Sequence, residues 1–165
     1  MPTAPRKPNT IRWRRIADAA DPEKIRALVE TTGVFSAEEV KIAGELAQTT
    51  VEASDTYRFL FAERGGELLG YTCFDRIPLS KVSFDLYWIV VSPSERGTGL
   101  AAELMSRTAT FIRSKRGTQV YAETSSKDSS APARAFYLKS GFAEVARFED
   151  FYEPGDSKVI YRLLL

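Results

Sequence analysis

The chain has 165 residues, 44% of them hydrophobic and 27% charged, a balance that fits a globular domain with one hydrophobic core. Lys plus Arg number 23 against 22 Asp plus Glu, a formal charge of +1, which speaks against a dedicated nucleic-acid binder. With no histidine and one cysteine, a Ser-His-Asp or Cys-His centre, an HExxH zinc site, a CxxC pair and an intrachain disulfide are all excluded.

Residues 1–9 hold Pro2, Pro5 and Pro8 and no apolar block, so a loose tail is expected there instead of a signal peptide, with residues 10–165 forming a single domain. Arg6, Lys7, Arg12, Arg14 and Arg15 read as that tail plus the polar face of a first strand, TIRWRRI (10–16), in preference to a phosphate-binding arm. DPEKIRALVETTG follows as a helix, with Asp21 as N-cap, Pro22 in the first turn and Gly33 as the stop. SAEEVKIAGELAQTTVEAS starts a second helix, with Ser36 and Glu39 at capping-box spacing. YRFLFAERGGELLGYTCFDRI reads as two strands around a two-glycine hairpin turn, with Cys73 in a buried strand position. FDLYWIVVSP is too apolar for a one-sided strand and is expected at the centre of the sheet.

From Gly99 to about Arg116 the pattern turns helical, with Leu100, Leu104 and Phe111 on one face and Met105, Ala109 and Ile112 beside them. TQVYAET is a strand, APARAFYLKSG a short helix ending at Gly141, and FAEVARFEDFY and KVIYRLLL two closing strands joined through the turn sequence EPGDS. The order β-α-α-β-β-β-α-β-α-β-β predicts an α/β (α+β) fold: a mixed central sheet of about seven strands with about four helices on both faces. No stretch approaches about 18 uninterrupted apolar residues. No membrane or nucleic-acid partner is therefore expected, and the expected setting is cytoplasmic. Nor does a DxDxDG calcium loop occur, and no metal is expected.

The segment with most chemistry in it is WIVVSPSERGTGLAAELM (88–105), where a strand passes through Arg96-Gly97-Thr98-Gly99-Leu100-Ala101 into a helix. The first amides of a helix have no intrahelical partner, the helix dipole adds positive potential, and glycines let a bulky anion approach the backbone. That is a cradle for an oxyanion or phosphate; a plain connecting turn is the competing reading. A P-loop is excluded for want of its lysine. Gly97-x-Gly99-x-x-Ala102 fits a dinucleotide fingerprint, with Glu123 ending the next strand. Against that, Ser92 to Arg96 separate strand from glycine, and the residues after the turn read as hairpin strands, not repeated βαβ units.

Residues 86–142 resemble the core of the GNAT superfamily of N-acetyltransferases. Arg96-x-x-Gly99-x-Ala101 matches the superfamily's coenzyme A signature [QR]-x-x-G-x-[GA], VVSP resembles its V-x-P before that loop, and FYLKSGF resembles its F-Y-x-x-x-G-F. The resemblance implies a sheet splayed between the fourth and fifth strands, with acetyl-CoA bound there. Backbone groups of Ile89, Val90 and Val91 would run beside the pantetheine, the Val91 amide would polarise the thioester carbonyl, and the amides of Gly97, Thr98, Gly99, Leu100, Ala101 and Ala102 would hold the pyrophosphate, with Arg96 adding a charge contact. Ser130 stands where many members carry asparagine near the start of the fourth helix, and the loop after Glu123 is longer than usual in the family. Tyr137 occupies the general-acid position. The base stays open between Glu123, at the end of the fifth strand, Asp85, which shares side-chain parity with Tyr87, Ile89 and Val91, and a water chain.

The implied activity is acetyl transfer from acetyl-CoA to a primary amine by direct attack, the acceptor being a small molecule or amino acid in the first instance and a protein N-terminus or lysine in the second. DFYEPGDSKVIY adds a weaker resemblance to a subgroup of these proteins, some of whose members are described as amino-acid acetyltransferases. The enzyme would act as a monomer or homodimer. A non-catalytic coenzyme A-binding regulatory module and a dinucleotide-linked oxidoreductase are the alternatives from other classes. Phe35 reads as a staple beside the second helix in preference to an acceptor-pocket wall, and Asp150, Glu153 and Asp156 as a polar turn in preference to an attractor for a cationic amine.

Overall fold

Along the chain, strand β1 (Arg12–Arg14) is followed by helices α1 (Asp21–Thr31) and α2 (Ala37–Glu52), strands β2 (Arg58–Arg64), β3 (Glu67–Arg76) and β4 (Ser83–Val91), helix α3 (Leu100–Ser114), β5 (Gln119–Ser125), α4 (Ala131–Lys139), β6 (Ala143–Glu153) and β7 (Asp156–Leu164). The structure, a computed structural model, describes residues 10–165; the expected loose tail over 1–9, with Arg6 and Lys7, lies outside them. The element order is the one the sequence pattern implies. The strands form one mixed sheet in the order β1-β2-β3-β4-β5-β7-β6. Strands β4 and β5 are parallel, and β1–β2, β5–β7 and β6–β7 antiparallel. The β4–β5 register runs from Ser83↔Gln119 to Asp85↔Tyr121. Beyond it the two strands part, as a splayed sheet requires.

The chain divides into two compact units, one of residues up to Thr72 with Ile89–Leu104, the other of Cys73–Trp88 with Met105–Leu165. In the first, α1 and α2 pack together, and Ile25, Val29, Ala47, Phe61, Tyr71 and Leu104 are wholly or almost wholly buried. Helix α2 starts with the expected capping box: Glu39 N–H donates to Ser36 Oγ at 3.2 Å, and Ser36 N–H to Glu39 Oε2 at 2.7 Å. At the β2–β3 turn Gly65 and Gly66 both have positive φ, 56° and 82°, the conformation of a tight hairpin.

Helix α1 departs from the sequence reading. Ala20 is its N-cap, and no side chain caps it there. The Asp21 carboxylate is fully buried and receives two 2.7 Å hydrogen bonds from Arg14 Nη1 and Nη2 and a third, at 2.6 Å, from Asp18 N–H. Arg14 Nη2 also donates to Glu63 Oε1 at 2.7 Å, and the guanidinium lies 4.2 Å from the centre of the Phe61 ring. A bidentate guanidinium between two carboxylates therefore ties the three-residue strand β1 to α1 and β2. Arg14 is a half-buried anchor where a solvated face was expected, because only the fold supplies its two acidic partners.

In the second unit the buried set includes Phe74, Phe84, Ile112, Val120, Phe142, Val159 and Tyr161, with Cys73 fully buried as expected. Gly141 ends α4 with φ 93°. Among the described residues no helix is long and apolar enough to cross a membrane, and no group of three His, Cys, Asp or Glu is placed to hold a metal ion.

Candidate active site

The candidate site residues fall into two sets, one in each unit. The first is the turn after β4. A short 3₁₀ turn, Pro93–Glu95, follows the strand, and Ser92 N–H donates to Leu69 C=O at 2.7 Å. The Glu95 side chain is buried and accepts from Arg64 Nη1 on β2 at 2.7 Å, while its carbonyl accepts from Thr98 Oγ1 at 2.6 Å and Thr98 N–H at 3.2 Å. The loop is thus fixed from within, and Thr98's amide is spent on the turn. Gly97 and Gly99 have φ of 75° and 83°, and a Cβ added at either would meet nothing within 4 Å. Both conditions for a backbone cradle are met: a left-handed geometry that favours glycine, and open space in front of it. The first rung of α3 runs from Glu103 N–H to Gly99 C=O at 3.0 Å. The amides of Leu100, Ala101 and Ala102 stand ahead of that ladder, at the positive end of a 15-residue helix. Upstream, Val90 is buried while Ile89 and Val91 are half-buried; Arg96 is exposed. A Cβ on Gly70 of β3 would sit 2.9 Å from the Val90 carbonyl oxygen, so that glycine lets the two strands lie where they do.

The second set lies in the second unit, around a cavity of about 330 Å³ lined by Ile77, Asp85, Leu86, Tyr87, Tyr121, Ala122, Glu123 and Ile160. Register explains how residues far apart in sequence meet there. Asp85 pairs with Tyr121, and Glu123 with Ile160, so Asp85 and Tyr87, Tyr121 and Glu123, and Ile160 share one face of three adjacent strands. Both candidate bases therefore line one cavity. Their surroundings differ. Asp85 is half-buried, and its carboxyl is held above the usual aspartate range, first by burial and then by the charge of Glu123, with Lys158 opposing. Glu123 is largely exposed and forms a 2.8 Å ion pair with Lys158 Nζ.

Lys158 did not stand out in the sequence. It shares Ile160's face of β7, lies opposite Ser125, and its ammonium also sits 4.6 Å from the centre of the Phe151 ring. Its hydrogen bond to the Glu123 carboxylate raises its pKa, which keeps it charged. The period-two pattern of KVIYRLLL predicts its face, but its partner depends on the β5–β7 register, which one sequence does not disclose.

Tyr137, on α4, is buried, with ring centres of Phe142 and Tyr161 at 5.2 and 5.5 Å. Burial, with a smaller contribution from Tyr161, pushes its phenol up to about 12, so it stays protonated at neutral pH. It is absent from the cavity lining. Ser130 closes the short turn Asp128–Ser130 directly before α4; its hydroxyl makes no capping bond, and its N–H donates to Lys127 C=O at 3.0 Å. The last hairpin is a structural turn: Asp156 is buried and bonded to Ser125, Lys127 pairs with Glu153, and Asp150 Oδ1 accepts from Gly155 N–H at 2.7 Å. Phe35 is half-buried.

A profile of the acetyltransferase (GNAT) family matches residues 22–142. A crystal structure from Desulfovibrio desulfuricans, assigned to the same family, is 35% identical over 94% of this chain and 99% of that chain, with a TM-score of 0.91. An aminoglycoside 6'-N-acetyltransferase complexed with coenzyme A is similar in fold at 14% identity, with a TM-score of 0.72 over 94% of this chain and 96% of its own. So is the ribosomal-protein-S18-alanine N-acetyltransferase from Escherichia coli, at 14% identity and a TM-score of 0.72 over 94% of each chain. No curated protein matches the sequence. A profile spanning more than half of the residues and a 35%-identical relative spanning nearly all of them establish that the chain belongs to the GNAT family of acetyltransferases.

Proposed function

We propose that the protein transfers an acetyl group from acetyl-CoA to the primary amine of a small molecule. The observation that carries this is the cavity of about 330 Å³ with a half-buried carboxylate in its wall, which suits a compact amine.

The residues of the first unit fit the donor. Gly97 and Gly99, open in front and left-handed, and the amides of Leu100, Ala101 and Ala102 ahead of the α3 ladder suit a diphosphate, and exposed Arg96 can add charge at the rim. Ile89, Val90 and Val91 offer backbone groups to the pantetheine in the manner of an added strand, and Ser130 a hydroxyl in place of the usual asparagine. Acetyl-CoA supplies the acetyl group as an activated thioester. Val91's amide is assigned to the acetyl oxygen, where negative charge develops. Asp85 takes a proton from the acceptor nitrogen, so that its lone pair can form the new C–N bond. Tyr137 gives its phenolic proton to the sulfur as the C–S bond breaks, and the second proton shed by the acylated nitrogen restores the phenol. Glu123, tied to Lys158, is left to shape the charge of the cavity.

The test is thiol release from acetyl-CoA in the presence of a panel of small amines. Release with a subset of amines is expected, and Tyr137→Phe should lower kcat about a hundredfold with little change in KM. If acetyl-CoA binds but no amine elicits thiol above background, a non-catalytic binding module is the better account.

A further inference from the structure

We propose that Lys158 is a specificity-determining residue of the acceptor cavity: by cancelling Glu123 it leaves Asp85 as the one negative charge, which selects a singly cationic amine with an apolar or aromatic body and no carboxylate beside its nitrogen. This rests on the acetyl-transfer reading of the same cavity and narrows its acceptor class.

Geometry first separates the two carboxylates. Lys158 Nζ is 2.8 Å from Glu123 Oε2, and its side chain is 20% exposed against 57% for that of Glu123. The lysine is the more deeply held partner, its ammonium fixed over the Phe151 ring at 4.6 Å, and the glutamate leans onto it. Asp85 has no such arrangement: among the described residues no cation forms an ion pair with it. The charged groups that act on it are Glu123 from β5 and Lys158 from β7. Neither Lys158 nor Arg162, which lies opposite Tyr121 on β7, lines the cavity itself; Lys158 acts on its wall through the ion pair with Glu123. Two carboxylates in the wall, one of them paired with an ammonium, leave a single net negative charge there.

The remaining walls supply no second recognition point for a charge. Ile77, Leu86, Ala122 and Ile160 are aliphatic, and Tyr87 and Tyr121 are aromatic. An acceptor ammonium pairs with Asp85 while its body lies against these side chains. A carboxylate on the carbon next to the nitrogen would lie beside Asp85 and Glu123, and the nearest ammonium is already engaged. A second ammonium on the ligand would compete with Lys158 for Glu123. Amino acids and diamines are both disfavoured, for opposite reasons of charge.

Three probes test this: phenethylamine, phenylalanine and 1,5-diaminopentane, each measured for binding by calorimetry and for thiol release with acetyl-CoA. The wild-type enzyme should favour phenethylamine over phenylalanine by about tenfold or more, the worth of one partly exposed charge. Lys158→Met keeps the aliphatic stem and uncovers Glu123, so the ratio of diaminopentane to phenethylamine affinity should rise about tenfold. Glu123→Gln, a near-isosteric change at an exposed side chain, should act in the opposite sense: both amines bind more weakly and phenylalanine gains. A wild-type preference for phenylalanine, or ratios unmoved in both variants, overturns the assignment of Lys158. The expected shifts in binding without thiol release from any amine would uphold the charge selection and refute acetyl transfer; thiol release with unmoved ratios would do the reverse.

Discussion

Asp85 and Glu123 are carboxylates on one sheet face, yet their contacts give them different chemistry. Glu123 spends its charge on Lys158, whereas Asp85 sits half-buried with Glu123's charge nearby, and both effects favour its protonated form. A group so placed accepts a proton more readily than a solvated aspartate. The acid limb of kcat/KM, measured with one amine throughout, should lie above the ordinary aspartate value of 3.8. Removing the neighbouring negative charge with Glu123→Gln should move that limb to lower pH. Removing the opposing positive charge with Lys158→Met should move it higher. Asp85→Asn should abolish it and lower kcat about a hundredfold. A limb that survives in Asp85→Asn and stays put in Glu123→Gln assigns the base to another group. Tyr137, held at about 12, contributes no alkaline limb below about pH 10.

Among the elements, the turn into α3 depends on backbone conformation more than on side chains. Gly99, at φ 83°, precedes the first helical amides; an alanine there is strained in the left-handed region, costing about 1 kcal/mol, and the amides can be kept aimed outward only against that strain. Gly99→Ala should raise KM for acetyl-CoA about tenfold while leaving KM for the amine nearly unchanged, as steady-state kinetics with each substrate varied in turn will show. An equal rise in both would mean general loosening in place of a damaged cradle. This turn was legible in the sequence for the same reason as the α2 capping box and the Gly65-Gly66 hairpin: each is decided by residues within about five positions of one another. Asp21 marks the limit. Its type and position say N-cap, but Arg14 takes both carboxylate oxygens, and long-range pairing overrides the local rule. Lys158 and Glu123 meet through the β5–β7 register, and Asp156, within the expected polar turn, is buried against Ser125. Register and burial of polar groups are properties of the assembled sheet, which is why the cavity's charge balance was not legible while its candidate bases were.

At the scale of the whole molecule, the absence of histidine removes the side chain that ordinarily titrates between about pH 5 and 8. Cys73, the one thiol, ordinarily titrates above that window, and burial pushes it higher still. Stability should therefore vary little across neutral pH and change at the two ends. On the alkaline side Tyr137 titrates at 10.0 when unfolded and about 12 when folded, so the stability its neutral phenol contributes is complete below pH 10 and is lost as the pH rises toward 12. Asp85 follows the same sign at the acid end. Its folded pKa is raised, so its contribution is complete below 3.8 and is lost as pH rises through the folded value; at neutral pH its charged form weighs against the fold. A carboxylate that burdens the fold at the pH where the enzyme works is what a site keeps for function. Asp85→Asn should accordingly raise Tm at pH 7 while lowering turnover, and the gain in Tm should vanish below about pH 4 as the wild-type carboxyl becomes neutral in both states. Thermal melts of both proteins across the pH range would detect this, and a Tm of Asp85→Asn at or below that of the wild type at pH 7 would show that the charged aspartate is stabilised by contacts stronger than its burial.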